Sequence, residues 1–232
     1  MFSIDDEMAG LRVAKQELRG LMRQRLSNLS EESLLRQSNA ATHALLSMPE
    51  YQNASRVGIY LSMPKGEICT GAIVRDAFAH HKQVFVPYLY KAPIRDQEKP
   101  QSVMDMVSLH SSSDWKDLNR DAWGIPTVAK SSIIGRQRVL GDDESDNETK
   151  KLDIIIMPGV AFDSGLSRLG HGKGFYDYFM QRYHTSKGGS MPLLVGLALD
   201  MQLLPEPQKV PIDTSDWQLD ALVVGDSTFI RR

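Results

Sequence analysis

The run LDIIIMP at residues 152–158 restricts the fold of this chain more than any other feature of its sequence. Three consecutive isoleucines indicate a strand buried on both faces, because a half-exposed strand would alternate apolar and polar residues. Such strands occur in parallel sheets covered by helices. We predict further strands at 56–62, 84–87, 102–109, 193–199 and 221–224.

Helical patterns alternate with these strands. Residues 5–28 carry an apolar stripe at spacings of three and four, which predicts a first helix. The stripe consists of Leu11, Ala14, Leu18, Leu21 and Met22. Ser30 is a predicted N-cap of a second helix that runs to about Met48, where Pro49 stops it. We also predict helices at 71–81 and 175–183.

This alternation predicts an α/β fold with a mainly parallel central sheet flanked by helices, a Rossmann-like three-layer arrangement forming a single domain over 1–232. Residues 90–101 are predicted to be a loop, and 111–129 to be irregular. The stretch 135–151 contains GDDESDNETK, which has no apolar residue to bury. We interpret it as a mobile acidic surface insertion.

Composition narrows the class of protein. The net charge of −2 provides no overall basic field, so we expect no nucleic-acid or membrane partner. Cys69 is the only cysteine, which excludes an intrachain disulfide and favours a reducing compartment. The acidic N-terminus does not resemble a secretory or mitochondrial leader, and the apolar runs are too short to cross a bilayer. We expect a cytoplasmic protein.

The segment RLGHGKGFYD at 168–177, here called the glycine loop, follows the 152–158 strand and continues into a helix. Its alternating glycines let backbone N–H groups approach an anion, while Arg168, Lys173 and the helix dipole add positive charge. These features suit a polyphosphate, although a flexible glycine turn with solvated charges has the same local pattern. Neither the Walker A pattern nor G-x-G-x-x-G fits, because Gly174 follows Lys173 and Phe175 replaces the third glycine.

Acidic residues suggest a metal site. Asp177 at the predicted helix start either stabilises the helix end or holds Mg²⁺, which prefers one or two carboxylates plus phosphate oxygens. A second acid would come from VPIDTSDWQLD, which leaves three alternatives: Asp213, Asp216 and Asp220. The histidines lack the spacing of a zinc site.

Basic residues recur along the first helix as Arg12, Lys15, Arg19 and Arg23. A solvated helix face commonly has this pattern, but a lysine and an arginine one turn apart also reach a triphosphate. Glu67, after the strand at 56–62, is by itself an isolated loop acid.

Together these segments resemble the 5-formyltetrahydrofolate cyclo-ligase family, also called methenyltetrahydrofolate synthetases. The segments that carry the resemblance are KQELR, YLSMPKGE, MDMVSL, WGIP, MPGVAFD followed by the glycine loop, and VPIDTSDWQLDALV. They occur in this order over nearly the whole chain. The resemblance implies an α/β fold and a ligase with 5-formyltetrahydrofolate and ATP as substrates and Mg²⁺ as cofactor. We expect a monomer. The implied reaction phosphorylates the formyl oxygen, and N10 then displaces phosphate to give 5,10-methenyltetrahydrofolate and ADP.

The resemblance also implies roles for individual residues. Lys173 and Arg168 would be catalytic, and Asp177 and Asp216 would hold Mg²⁺. The implied ATP site comprises Lys15, Gln16, Glu17, Leu18, Arg19, Arg168, Leu169, Gly170, His171, Gly172, Lys173, Gly174, Phe175 and Tyr176. The implied folate site comprises Leu61, Glu67, Trp123, His171, Gly172, Lys173, Gly174 and Phe175.

Two residues depart from the family pattern: His171 stands where relatives often have Arg or Tyr, and Phe175 replaces a common Tyr. Two other functions compete with the cyclo-ligase activity. Another ATP-dependent phosphotransferase or ligase would use the same glycine loop with a different acceptor, and a non-catalytic protein would bind folate without turnover. Assays with several acceptors separate these alternatives.

Overall fold

The structure, a computed structural model, describes residues 4–91, 102–141 and 151–232. Its helices are α1 (Ile4–Ser27), α2 (Glu31–Leu46), α3 (Pro49–Asn53), α4 (Gly71–Ala79), α5 (Ser112–Lys116) and α6 (Phe175–Ser186). Its strands are β1 (Arg56–Ile59), β2 (Gln83–Lys91), β3 (Ser102–Ser108), β4 (Asn119–Arg120), β5 (Pro126–Thr127), β6 (Ile154–Met157), β7 (Ala161–Phe162), β8 (Arg168–Leu169), β9 (Leu193–Ala198), β10 (Ala221–Val224) and β11 (Phe229–Arg231). None of the helices within these ranges has the length and apolar character needed to cross a membrane.

Among the described residues, seven strands form the main sheet in the order β11-β10-β9-β6-β1-β2-β3. The strands from β10 to β2 are parallel, and β3 and β11 run antiparallel at the two edges. From β1, the chain moves first to β2 on one side and then to β6 on the other. This reversal creates a crevice at the carboxyl ends of β1 and β6, where open α/β sheets bind ligands.

The strands are buried on both faces, as the isoleucine run predicts. Ile154 and Ile156 of β6 pack in a core that includes residues of α2 and α4. Ile155 and Met157 point into a second core that includes residues of α6. Burying each such side chain contributes about 1.5–3 kcal/mol. The predicted α/β fold with three layers and a mainly parallel sheet is therefore confirmed.

Helix α1 docks through a smaller apolar cluster. Met22 is fully buried against residues of the β7–β8 hairpin, including Ala161 and Leu169. Leu21, which the sequence places on the same stripe, is instead 43% exposed. The prediction was wrong for Leu21, because α1 contacts the rest of the protein along a narrower strip than the stripe suggests.

Residues before and after β1 differ in three places from the sequence predictions. Pro49 does not simply end α2 but begins α3, because a proline lacks the N–H that the first helical position leaves unpaired. The stretch predicted to be irregular contains α5 and the β4–β5 hairpin. Strand β2 continues to Lys91, into the predicted loop.

Part of the stretch predicted to be a mobile acidic insertion, 135–151, is attached to the main sheet. Arg138 forms a β-bridge with Val107 and an ion pair with the fully buried Asp105, at 2.9 Å. Val139 is buried in the second core. These contacts attach residues 136–140 to the edge strand β3, so this part of the prediction was wrong. Residues 142–150 lie outside the described residues.

Candidate active site

Two loops meet at the crevice between β1 and β6. The β1 loop, residues 60–70, contains Glu67, and the β6 loop, residues 158–174, contains most of the glycine loop. Because β1 and β6 are neighbouring parallel strands, both loops leave the same edge of the sheet. The fold therefore brings together the two segments on which the sequence predicts substrate binding.

Lys15 connects the first helix to the C-terminal acids. Its Nζ atom lies 2.7 Å from Oδ2 of Asp213 and 2.6 Å from Oδ2 of Asp216. Burial lowers the pKa of Lys15, but hydrogen bonds to both carboxylates outweigh burial and raise it overall. The bond from Lys15 also lowers the pKa of Asp213 to about 2. Lys15 therefore carries a positive charge at the site.

Arg19, one turn further along α1, contacts the glycine loop directly. Its Nε donates to the carbonyl oxygen of Gly170 at 2.9 Å. Gly172 has φ +90°, and a Cβ atom there would lie only 3.2 Å from Cζ of Arg19. The absence of a side chain at residue 172 therefore allows this close approach. By contrast, Arg12 and Arg23 of the predicted basic stripe are exposed.

Arg168 and Asp177 form an ion pair across the glycine loop. One guanidinium nitrogen of Arg168 lies 3.0 and 3.1 Å from the two carboxylate oxygens of Asp177. The guanidinium also lies over the ring of Tyr176, 5.5 Å from its centre. Burial raises the pKa of the Tyr176 phenol. The Tyr176 hydroxyl and Nε of Arg168 are both buried without a hydrogen-bond partner in the described structure.

The C-terminal acids separate into different environments. Trp217 N donates to Oδ1 of Asp177 at 3.3 Å, so Asp177 contacts the residue that follows Asp216 in the chain. Asp220 instead accepts the backbone N–H of Leu194 at 2.8 Å. No cluster of three or more potential metal-binding side chains occurs among the described residues. Two carboxylates at the site nevertheless fit Mg²⁺ bound with phosphate, because Mg²⁺ then takes its other ligands from phosphate and water.

A hydrogen bond joins the two loops. Nε2 of His171 in the β6 loop lies 3.1 Å from Oε1 of Glu67 in the β1 loop. The other carboxylate oxygen of Glu67 accepts the backbone N–H of Met63 at 3.0 Å. Glu67 is buried, whereas the side chain of His171 is half exposed. The loop acid that is uninformative in sequence thus becomes a positioned carboxylate.

A cleft of about 420 Å³ lies beside the β1 loop. It is lined by Leu61 and by residues that the sequence analysis did not assign to the site, including Trp115 and Arg120. Trp123 is 75% exposed in the turn between β4 and β5. Its neighbour Gly124 packs so closely on Pro64 that a Cβ atom would lie 2.7 Å from the proline ring. Trp123 therefore lies near the β1 loop without lining the cleft.

The remaining predicted residues do not all reach the site. Leu18 and Leu169 pack in the cluster beneath α1, and Phe175 packs against the second core. Gln16 and Glu17 are exposed, and neither forms a hydrogen bond or ion pair with the described site residues. Lys173 is also exposed and unpaired among the described residues. It immediately precedes Gly174, the N-cap of α6, whose first N–H groups have no side-chain cap.

Gln202 borders the site, and the sequence analysis did not identify it. It is buried in a 3-10 turn at Asp200–Gln202 after β9, and its amide bonds to both the β1 and β6 loops. No motif identifies a single glutamine of this kind. Trp115 and Arg120 were missed because the short elements that carry them have no periodic pattern.

Comparison with known proteins gives consistent results. Residues 12–225 match the 5-formyltetrahydrofolate cyclo-ligase family. The 5-formyltetrahydrofolate cyclo-ligase of Mus musculus is 34% identical over 215 residues, covering 92% of this chain and 95% of the mouse protein. A probable 5-formyltetrahydrofolate cyclo-ligase of Schizosaccharomyces pombe is 33% identical over 216 residues, covering 91% and 95%. The NMR structure of Aquifex aeolicus 5,10-methenyltetrahydrofolate synthetase has a TM-score of 0.66 at 27% identity, covering 94% of this chain and 92% of that one.

Proposed function

The chain belongs to the 5-formyltetrahydrofolate cyclo-ligase family, and from this premise we propose how its residues perform the reaction. It is an ATP-dependent ligase that converts 5-formyltetrahydrofolate to 5,10-methenyltetrahydrofolate. The observation that carries the proposed site is the bond between His171 and Glu67. It joins the glycine loop to the loop beside the cleft, so a phosphate and a folate would meet at this edge.

We assign the phosphate side to Lys15, Arg19, Lys173 and the N-terminus of α6. These groups combine two cations from α1, one from the glycine loop and free backbone N–H groups. Such an arrangement stabilises polyphosphate through charge-assisted hydrogen bonds and the helix dipole. Nε of Arg168 and the hydroxyl of Tyr176 contribute two buried donors, and neither atom has a hydrogen-bond partner in the described structure.

The folate side is assigned to Leu61, the cleft and Glu67, with Trp123 at its margin. The buried carboxylate of Glu67 would accept hydrogen bonds from N–H groups of the pterin ring. Since His171 occupies one oxygen of Glu67, ring binding exchanges this partner for a ligand N–H. His171, released from Glu67, would lie between the two substrates.

The proposed reaction has two steps. The formyl oxygen attacks the γ-phosphorus and ADP leaves, which turns a poor leaving group into a phosphate ester. N10 then attacks the activated formyl carbon, loses its proton, and the C–O bond breaks to release phosphate. Lys173, which is exposed and unpaired among the described residues, would offset charge on the transferring group.

Asp177 and Asp216 would hold Mg²⁺, whose chemistry is to neutralise charge on phosphate oxygens. Without ligands, these carboxylates pair with Arg168 and Lys15. Phosphate binding would draw the two basic side chains away from the carboxylates, which frees oxygen atoms for the metal.

We further propose that the protein is a single-domain monomer of the cytoplasm. A net charge of −2 supports the absence of a nucleic-acid partner.

An absorbance assay for the methenyl product tests the function. We expect product only when 5-formyltetrahydrofolate, ATP and Mg²⁺ are all present. Tight folate binding without turnover would support the non-catalytic alternative. Stimulation of ATP hydrolysis by another acceptor, but not by this folate, would support a different phosphotransferase.

A further inference from the structure

The side-chain amide of Gln202 connects three segments at the carboxyl edge of the sheet. Its Nε2 donates to the carbonyl oxygen of Gly159 at 2.8 Å and to that of Gly66 at 3.3 Å. Its Oε1 accepts the backbone N–H of Leu199 at 2.8 Å. With 1% of its surface exposed, Gln202 makes these bonds away from solvent.

The two carbonyl groups belong to the two site loops. Gly66 directly precedes Glu67 in the β1 loop. Gly159 directly follows Pro158, whose carbonyl oxygen accepts from Arg168 at 3.4 Å. One buried amide therefore links two backbone positions. The first adjoins Glu67, the carboxylate proposed to bind folate, and the second adjoins the carbonyl group that contacts Arg168, proposed to bind phosphate.

The turn that carries Gln202 is itself anchored. Backbone N–H of Asp200 donates to Oε1 of Gln37 on α2 at 2.8 Å, and Gln37 is 2% exposed. The N–H of Gln202 closes the turn onto the carbonyl oxygen of Leu199 at 2.9 Å. Helix α2 and strand β9 thus hold the amide in place independently of the two loops.

We propose that Gln202 is a positioning residue that fixes the spacing between the β1 and β6 loops. The inference rests on the proposed function, in which the formyl oxygen bound by one loop attacks the phosphate bound by the other. Each substrate still finds its own loop when the spacing relaxes, but the reacting atoms lose alignment. Misplacement by about 1 Å costs about 100-fold in rate.

The test compares turnover with separate substrate affinities in Gln202→Leu. We expect kcat to fall by at least about tenfold, while the Kd for ATP with Mg²⁺ and the Kd for 5-formyltetrahydrofolate each change less than about threefold. Unchanged kcat would overturn the inference. A parallel loss of kcat, both affinities and the unfolding midpoint would also overturn it, since that pattern indicates a purely structural role.

Gln202→Glu provides a second readout. This variant keeps the acceptor for Leu199 but, when ionised, directs a carboxylate at two carbonyl oxygens. A protonated carboxyl group donates again, so kcat relative to the unmodified protein should rise as pH falls from 8 to 5. A constant ratio across this range would contradict the role of the donor.

Lys82→Met is the matched control. Lys82 is also buried and donates to two backbone carbonyls, those of Gln52 and Ala54, at the opposite end of the sheet. We expect a lower unfolding midpoint with unchanged kcat. Product formation by the unmodified protein separates the two proposals: its absence contradicts the function and this inference, whereas product with an unaffected Gln202→Leu contradicts the role of Gln202 alone.

Discussion

The carboxyl edge of the central sheet, where its parallel strands end, and the amino edge, where they begin, use charged side chains in different ways. At the carboxyl edge, charged groups pair with one another across distant segments. Lys15 binds two aspartates, Arg168 binds Asp177, and His171 binds Glu67. At the amino edge, Lys82 bonds to two carbonyl groups just before β1. Asp153, just before β6, accepts the N–H groups of Ser55 and Arg56 at 2.7 and 2.8 Å.

The difference lies in which partners can be exchanged. A charge that satisfies backbone groups cannot leave without exposing unpaired donors or acceptors, so it contributes to stability. A pair of opposite side-chain charges can separate when a ligand supplies a replacement for each. Mutations at the carboxyl edge should therefore alter chiefly turnover or ligand affinity, with small effects on stability, whereas mutations at the amino edge should alter chiefly the free energy of unfolding.

The largest expected effect is that of Lys173→Ala. Lys173 is exposed and unpaired among the described residues, so its charge is available to the transferring phosphate. Loss of one group that stabilises the transition state lowers kcat by about 100-fold or more. Steady-state kinetics with the methenyl assay measures this, and Lys209→Ala is the control because Lys209 is an exposed lysine paired with Glu206. Near-normal turnover in folded Lys173→Ala would remove this residue from the mechanism.

The second effect concerns the choice among the C-terminal acids. Asp216→Asn should raise the Mg²⁺ concentration for half-maximal activity by about tenfold, since a neutral amide is a poor ligand for a hard cation. Asp220→Asn should not, because Asp220 bonds to the backbone of β9. Titrations of activity against Mg²⁺ concentration in both variants test this assignment. Equal shifts, or no shift in Asp216→Asn, would contradict the assignment of Asp216.

The third effect tests the amino edge. Asp153→Ala removes the acceptor for two backbone N–H groups and should cost about 1–2 kcal/mol in the free energy of unfolding. Urea denaturation measures this cost. Turnover of the folded variant should equal that of the unmodified protein, and a selective loss of kcat would break the distinction between the two edges.

The smallest effect depends on pH. Lys15 lowers the folded-state pKa of Asp213 from 3.8 to about 2, so this pair stabilises the protein above about pH 4 and loses that contribution as pH falls towards 2. Asp213→Asn should therefore reduce stability at pH 6 by about 1 kcal/mol or less, given partial exposure to solvent. Urea midpoints at pH 6 and pH 2.5 should show this difference shrinking. A difference independent of pH would contradict the ion pair.

Much of the fold could be predicted from local sequence because its core strands are continuous apolar runs. The isoleucines of β6 are buried on both faces, and Ser30 caps α2 by accepting the N–H of Ser33. Elements that depend on distant contacts were missed. The two-residue strands β4 and β5 have no periodicity, and residues 136–140 are ordered by β3, about thirty positions earlier.

The candidate site could likewise be predicted only in part. The glycine loop and the acids after residue 210 were visible because their composition is unusual. The pairing of each acid with its partner was not visible, since Asp213, Asp216 and Asp220 differ only in their spatial neighbours. The Gln202 bonds are likewise invisible in sequence because a buried amide is chosen by surrounding carbonyl groups rather than by a local motif.

The bond between Lys15 and Asp216 spans 201 positions of the chain. During synthesis, which proceeds from the N-terminus at about 5–20 residues per second, α1 emerges long before its acidic partners exist. Lys15 therefore cannot form this pair until the C-terminal segment has been made. If Asp216 holds Mg²⁺ as proposed, a chain that terminates before this residue lacks one of the two proposed metal ligands.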